Sequence, residues 1–336
     1  MSGVHLVIQI LCYNEAETLP LVVAELPKAI PGVGRLEVLV VDDGSTDGTA
    51  EVARALGVDH IVQHPINRGV AAAFQSGLEA SLRAGADIIV NTDGDNQYPG
   101  EYIPALIAPL LARQADMVIG DRQTQQVAHF SPRKRRLQQW GSRVVSLTAG
   151  THVPDAASGF RALDREAALR ITVVSTYSYT LETIIQAAKK GLRITSVPIQ
   201  VNTPTRESRL IKSTRSYVQR QAITILRVYT VYEPLRTFTL AALPFLAVGG
   251  LLIVRFLLLY LLMATGVGRH VQSLIVGSML VVVGFVVFLI GLTAHIIATN
   301  RFLLEELLYR QKRQELSGAS RGREKDNPVG VLPKDS

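Results

Sequence analysis

Asp87-Ile88-Ile89-Val90-Asn91-Thr92-Asp93-Gly94-Asp95 is an apolar run that ends in two carboxylates spaced i, i+2. So short and apolar a run predicts a buried strand, and acids just past the C-terminal end of such a strand in a doubly wound sheet stand over the crevice where ligands bind. Two carboxylates placed there can hold a divalent cation. An isolated Asp-x-Asp is more commonly a solvated turn. Here a second acidic strand end, Val38-Leu39-Val40-Val41-Asp42-Asp43-Gly44-Ser45-Thr46-Asp47, lies upstream at a spacing that fits one βαβ unit, which favours the site over the turn.

Outward from these two stretches, strand and helix signals alternate. Strands are predicted at Val4 to Leu11, Leu36 to Val41, His60 to Gln63, Asp87 to Asn91, Met117 to Gly120 and Leu192 to Val201, with helices at Glu17 to Ala29, Thr46 to Leu56 and Gly69 to Ala84. The alternation predicts an α/β fold with a mostly parallel, two-faced sheet. Ser45-Thr46-Asp47-Gly48-Thr49 reads as a turn entering a helix, with Ser45 as the cap; its free N–H groups either take an anion or are capped by Asp47.

The C-terminal end differs in kind. Phe238 to Ala264 and Ser273 to Ala298 are each about the length that crosses a bilayer, roughly 20 residues, and the short connection predicts a hairpin of two transmembrane helices. Arg206, Arg209, Lys212, Arg215, Arg220, Arg227 and Arg236 precede the first stretch, and Arg301, Arg310, Lys312 and Arg313 follow the second, so both ends are expected on the cytoplasmic face of the cell membrane. Val4 to Ile10 opens the chain without the pattern of a signal peptide. Lys212 to Arg236 mixes Tyr217, Ile223, Leu226, Val228, Tyr229 and Tyr232 with arginines and predicts an amphipathic helix at the interface. The organisation expected is therefore an α/β domain over 1–211, an interfacial helix over 212–236, two spans over 237–300, and a cytoplasmic helix with a disordered tail over 301–336.

Arg255 inside the first span costs on the order of 3 kcal/mol at mid-bilayer and requires either a partner or a position nearer the interface. Gly277, Gly284 and Gly291, spaced by seven, are compatible with a homo-oligomer and equally with an inert, lipid-facing row. Cys12 is the only cysteine among 336 residues, which excludes an internal disulfide and a thiolate zinc cluster. The net charge of +7 clusters beside the spans without an aromatic–basic platform, so a membrane rather than nucleic acid is the expected partner. No glycine-rich phosphate loop followed by Lys occurs.

One ordered series carries a resemblance. Tyr13-Asn14-Glu15, Val41-Asp42-Asp43-Gly44-Ser45-Thr46-Asp47-Gly48-Thr49 and Asn67-Arg68-Gly69 are followed by Asp93-Gly94-Asp95-Asn96-Gln97-Tyr98-Pro99 and Gly120-Asp121-Arg122. Ser158-Gly159-Phe160-Arg161, Glu182, Val197-Pro198-Ile199 and Glu207-Ser208-Arg209-Leu210 complete it. Over roughly residues 5 to 210 this series resembles glycosyltransferase family 2, of GT-A fold, and within it the polyprenyl-phosphate glycosyltransferases similar to dolichol-phosphate mannose synthase.

The resemblance implies a nucleotide-sugar donor, UDP- or GDP-linked, whose base and ribose meet Leu11, Tyr13, Glu15, Val41 and Asp43. It places the diphosphate and a Mg2+ or Mn2+ ion at Asp93, Gly94, Asp95 and Gln97, with Asp93, Asp95 and Gln97 as the metal set. Arg122 and Arg209 match basic positions facing the donor phosphates, and with Asp95 and Glu182 they make up the expected catalytic group. Thr203 stands six residues before Arg209, where relatives of dolichol-phosphate mannose synthase carry another arginine, and Arg206 is displaced from that position. The acceptor implied is a polyprenyl phosphate. Arg161 and Arg206 are candidates for its phosphate, as are Arg133 and Arg135 within the run Arg133-Lys134-Arg135-Arg136, which near a membrane gains about 1 kcal/mol per basic residue from anionic head groups. A phosphate acceptor is already an anionic nucleophile, so Glu182 is left between general base, sugar ligand and loop support. A processive polysaccharide synthase is the first rival reading; it calls for a Gln-x-x-Arg-Trp motif, and Trp140, the only tryptophan, lies outside one. A catalytically silent nucleotide-sugar-binding membrane scaffold is the second.

Overall fold

The computed structural model describes residues 3–123, 142–143, 145–146, 153–173, 179–202, 230–263 and 271–325. Seven strands form one sheet: β1 (Val4–Cys12), β2 (Val33–Asp42), β3 (His60–Gln63), β4 (Ile88–Asp93), β5 (Met117–Asp121), β6 (Arg161–Asp164) and β7 (Ile194–Pro198), in the order β3-β2-β1-β4-β6-β5-β7. Every neighbouring pair is parallel except those of β6, which runs antiparallel to both β4 and β5. Because strand side chains alternate faces, Leu6, Ile8, Ile10 and Cys12 of β1 enter one core with Leu106 and Ile107, while Val7 and Leu11 enter the other with Phe74 and Leu78. Both faces are covered, which is why β1 and β4 read as apolar runs rather than alternating ones.

Helices among the described residues include α1 (Leu19–Glu25), α2 (Thr49–Ala55), α3 (Val70–Ala84), α4 (Ile103–Leu111), α5 (Arg165–Arg170), α6 (Thr180–Lys189), α7 (Pro234–Met263) and α8 (Val271–Lys325). One start differs from expectation. Ser45 does not cap α2: its hydroxyl receives the N–H of Asn14 (2.8 Å), the N-cap is Gly48 at φ 85°, and Asp47 accepts the N–H of Thr49 (3.1 Å). β6 was not expected, because four residues opening on an arginine carry no apolar run.

The chain divides into two units, 1–221 with 305–336, and 222–304. The described residues 305–325 thus group with the sheet. In the second unit α7 and α8 supply two helices long and apolar enough to cross a membrane, with mean hydropathies of 2.5 and 2.8 in their most apolar stretches. They are not core helices: Leu251, Leu261, Leu262 and Met279 are each at least 68 % exposed. Such a surface suggests membrane anchoring. The glycine row faces neither lipid nor a second copy. A Cβ on Gly277 would lie 2.9 Å from the Gly249 carbonyl oxygen, one on Gly284 2.8 Å from Leu246 Cγ, and one on Gly291 2.5 Å from Phe238 Cβ, so the row is where α8 approaches α7 of the same hairpin. Arg255 stands on the exposed face of α7. The proposed interfacial helix lies mostly outside the described residues, of which only 230–236 fall within it.

Candidate active site

The chain leaves β1 toward β2 and β3 on one side and returns to β4 on the other, so β1 and β4 flank a topological switch point, where open α/β sheets bind ligands. The ends of β1, β2 and β4 are laced together there. Asn14, at φ 55°, presents its side-chain oxygen to the N–H of Thr46 (2.8 Å), and the N–H groups of Glu15 and Ala16 reach Thr49 Oγ1 (2.9 Å) and Asp47 Oδ2 (3.1 Å). The Tyr13-Asn14-Glu15 and Asp42-to-Thr49 segments therefore fold as one double turn. Gly94 must be glycine: its N–H meets the Leu11 carbonyl at 2.9 Å, and a Cβ would lie 2.7 Å from Cys12 Sγ. Thr18 donates to Glu15 Oε2 (2.9 Å), and within hydrogen-bond distance of its hydroxyl lies the Gly94 carbonyl (2.7 Å), which ties the first strand end to the Asp93-Gly94-Asp95 turn.

Of the donor-side candidates, Tyr13 is 41 % exposed at this end of the sheet, whereas Leu11, Glu15, Val41 and Asp43 are buried there. The Asp43 carboxylate accepts N–H groups of Arg68 (2.9 Å) and Gly69 (2.8 Å) ahead of α3 and bonds His64 Nδ1 (2.7 Å), whose other ring nitrogen meets Ser76 Oγ at 3.0 Å. Asp42 is fully buried, receives the Ser45 N–H at 3.0 Å, and leaves Oδ2 without a partner among the described residues. Asp93, Asp95 and Gln97 are partly exposed at the mouth. Burial and the adjacent Asp95 charge push the Asp93 carboxyl up to about 7 against the pull of Arg122 and Arg161. An acid so placed favours a cation.

No third acidic or histidine side chain joins this pair among the described residues. That donor set fits Mg2+ or Mn2+, which bind through one or two carboxylates and take remaining oxygens from phosphates and water. It does not fit a cation that needs a complete protein cage.

Arg122 is buried beside Asp93, and its guanidinium forks onto Asp155, Nε to Oδ2 at 2.6 Å and Nη2 to Oδ1 at 2.9 Å. Arg161 corrects an expectation. It is fully buried and binds the carbonyls of Ser158 and Thr180 and the hydroxyl of Thr183, with its guanidinium 5.2 Å from the centre of the Tyr179 ring. Its position on β6 beside Asn91 of β4 turns it inward, so it braces the pocket from behind instead of meeting an acceptor phosphate. Glu182 is 4 % exposed in the first turn of α6, and its Oε1 is 3.3 Å from the Gln186 amide nitrogen. That placement makes it part of the helix packing and lends no support to a general-base role. Arg133, Arg135, Arg206 and Arg209 lie outside the described residues.

Gln9, Asn91 and Tyr179, which the sequence pattern did not single out, hold the back wall together with Tyr98 and Gly159. Gln9 donates to Asn91 (2.7 Å), and Asn91 donates to the Gly159 carbonyl (2.8 Å) and to Tyr179 Oη (2.9 Å). Tyr98 Oη accepts the Gly159 N–H at 3.1 Å, and burial pushes that phenol up to about 12, so it stays protonated. Gly159 is pressed against the first acid: a Cβ there would lie 3.0 Å from Asp93 Oδ2 and 2.9 Å from Tyr179 Oη. The available signal was Gln9 and Asn91, polar residues inside apolar strands, since a buried amide must find partners.

Comparison with known proteins accords with this geometry. Residues 7–172 match the glycosyl transferase family 2 model. The chain is 31% identical over 197 residues to an undecaprenyl-phosphate mannosyltransferase of Micrococcus luteus, covering 56% of this chain and 79% of that protein. It is 34% identical over 200 residues to a dolichyl-phosphate hexose transferase of Haloferax volcanii, covering 59% and 83%. Among solved structures, glucosyl-3-phosphoglycerate synthase from Mycobacterium tuberculosis, in complex with Mn2+, UDP and glucosyl-3-phosphoglycerate, superposes with a TM-score of 0.51 at 25% identity, over 67% of this chain and 79% of that one.

Proposed function

The chain belongs to glycosyltransferase family 2, and on that premise we propose that it moves a sugar from a UDP- or GDP-linked donor onto a polyprenyl phosphate at the cytoplasmic face of a membrane. The observation that carries the reading is a pair of neighbouring carboxylates, Asp93 and Asp95, at the switch point of a sheet whose chain continues into two exposed apolar helices. The relatives in Micrococcus luteus and Haloferax volcanii are named for transfer to undecaprenyl and dolichyl phosphate, which supports the acceptor class.

In this reading Leu11, Tyr13, Glu15, Val41 and Asp43 hold the nucleoside, and Asp93, Asp95 and Gln97 face the diphosphate. A divalent cation bound there, Mg2+ or Mn2+, supplies positive charge against the leaving diphosphate. Arg122 and Arg209 add charge-assisted hydrogen bonds to phosphate oxygens. An oxygen of the lipid phosphate attacks the anomeric carbon, the bond from that carbon to the diphosphate oxygen breaks, and the nucleoside diphosphate departs with that electron pair. In-line attack inverts the centre. Because the nucleophile is already an anion, the chain needs no base, which agrees with a buried Glu182.

Arg133, Arg135 and Arg206 are the chain's cations for the acceptor side. The basic residues that flank the two apolar stretches support both ends of the hairpin lying on the cytoplasmic side. The deciding experiment supplies membranes holding the chain with labelled nucleotide sugar, polyprenyl phosphate and Mg2+ or Mn2+. Lipid-linked monosaccharide is expected; polymer would make it a processive synthase, and donor binding without turnover a scaffold.

A further inference from the structure

The segment of α8 from 305 to 316 is not a free tail. Glu305, Tyr309, Lys312 and Leu316 recur at i, i+4, i+7 and i+11, one stripe of a helix, and each meets the transferase domain. Glu305 Oε2 lies 3.0 Å from Lys190 Nζ with both side chains about a tenth exposed. Tyr309 donates to Glu166 Oε1 at 2.6 Å, sits in the core that contains Phe74 and Tyr179, and has the Arg170 guanidinium 5.0 Å from its ring centre. Lys312 reaches Glu79 of α3 at 4.0 Å, and Leu316 packs on the same core. These contacts fix the far ends of α5 and α6, since Lys190 caps α6 and also donates to the Arg170 carbonyl at the end of α5.

The near end of α6 is built into the active site. Tyr179, its N-cap, is bonded to Asn91 and stacked on Phe74 at 4.0 Å; Thr180 and Thr183 take the bonds of Arg161. Ten helical residues span about 15 Å and shift as a rigid rod. We propose that Glu305 and Tyr309 are positioning residues of the sugar transfer: the helix emerging from the second apolar stretch holds one end of α6 and thereby sets Tyr179 and the Ser158-Gly159 wall beside Asp93 at the other. The kinetic half of this inference rests on the transfer reading above; the docking does not. The residues assigned to the nucleoside stand on β1, β2 and the turns that follow them rather than on α6, so the effect is expected on turnover more than on nucleotide affinity.

The test uses the full chain in detergent or bilayer discs. Lys190→Glu and Glu305→Lys are each expected to lower turnover at least fivefold while nucleoside diphosphate affinity, measured by calorimetry with the divalent cation present, stays within twofold. The double reversal is expected to restore at least half of the turnover and the thermal midpoint. Tyr309→Phe, which keeps the buried ring, is expected to lower turnover two- to fivefold and serves if a reversal fails to fold. Parental turnover in Tyr309→Phe, or a double reversal no better than its singles, overturns the positioning role. Recovery of the midpoint without recovery of turnover does so too. If the parent chain transfers nothing to polyprenyl phosphate, the functional reading has failed, and the docking is judged by the midpoints alone: rescue supports it, and no rescue overturns it.

Discussion

Glu37 of β2 and Asp93 of β4 are acids of one sheet, yet their surroundings act on them in opposite directions. Toward the N-terminal ends of the strands, Glu37 Oε2 meets His5 Nε2 at 2.8 Å and His60 Nε2 at 3.1 Å while Oε1 takes Arg35. Burial would raise that carboxyl, but hydrogen bonds from His60, His5 and Arg35 outweigh it and hold it below the ordinary range. At the C-terminal ends, burial and Asp95 push Asp93 up to about 7. One end has completed its own electrostatics; the other has left them incomplete at the switch point of the sheet. Groups that resist their environment at a cleft mark function, and groups satisfied by it mark stability.

The largest expected effect breaks the unsatisfied end. Asp95→Ala removes half of the cation pair and is expected to lower transfer by at least about 10²–10³-fold. The metal-free fold should not weaken, because the charge that opposes ionisation of Asp93 is gone. Circular dichroism and labelled-sugar transfer check both halves, and undiminished turnover in excess chelator would remove the metal from the mechanism.

Glu37→Ala should do the reverse. It leaves His5 and Arg35 without their acceptor and is expected to cost about 1–3 kcal/mol of stability, with turnover per folded molecule near parental. Denaturant titration beside an activity assay reads the split. Loss of turnover at full stability would erase the contrast between the two ends.

Why the ends were unequally readable follows from what each depends on. β1, β2 and β4 and the acids that terminate them were legible because apolar runs, Asp-Gly turns and strand spacing are local signals. The Asp93–Asp95 spacing was legible for the same reason. Arg161 was misread because its fate is decided by Thr180 and Thr183, about twenty residues away on a helix whose packing no local pattern reveals. Asp155, the partner of Arg122, and the relay from Gln9 through Asn91 to Tyr179 join residues 33 to 88 apart in sequence. The glycine row was visible, but its counterpart on α7 was not, since Gly249, Leu246 and Phe238 share no motif with it.

Titration sharpens the comparison with a smaller effect. Glu37, depressed in the fold, contributes stability that is present above its unfolded value near 4.5 and is lost as pH falls through its lower folded value. Asp93, raised in the fold, favours the metal-free folded state only while protonated; that contribution is lost as pH rises from its unfolded value near 3.8 toward about 7. Added Mg2+ or Mn2+ competes with that proton, so the stabilisation it brings should grow as pH rises through about 7. Thermal midpoints with and without the cation, measured across this range, are expected to diverge; a constant difference would mean that the cation does not meet Asp93.

Tyr98→Phe is the smallest change and asks how far the unsatisfied end depends on its wall. The ring should remain stacked on Phe160, with centroids 5.3 Å apart in the parent, so packing is kept and only the hydroxyl that accepts the Gly159 N–H is lost. A single unmet buried N–H costs about 1 kcal/mol. For a domain of this size that corresponds to a midpoint lowered by about 2–4 °C. Gly159 lies against Asp93 Oδ2, however, so loosening it also lets the carboxylate drift, and turnover is expected to fall several-fold more than a 1 kcal/mol change in stability accounts for. A midpoint shift with unchanged turnover would mean that the Ser158-Gly159 wall supports the fold alone, and that the incomplete electrostatics at Asp93 need no support beyond their own strand.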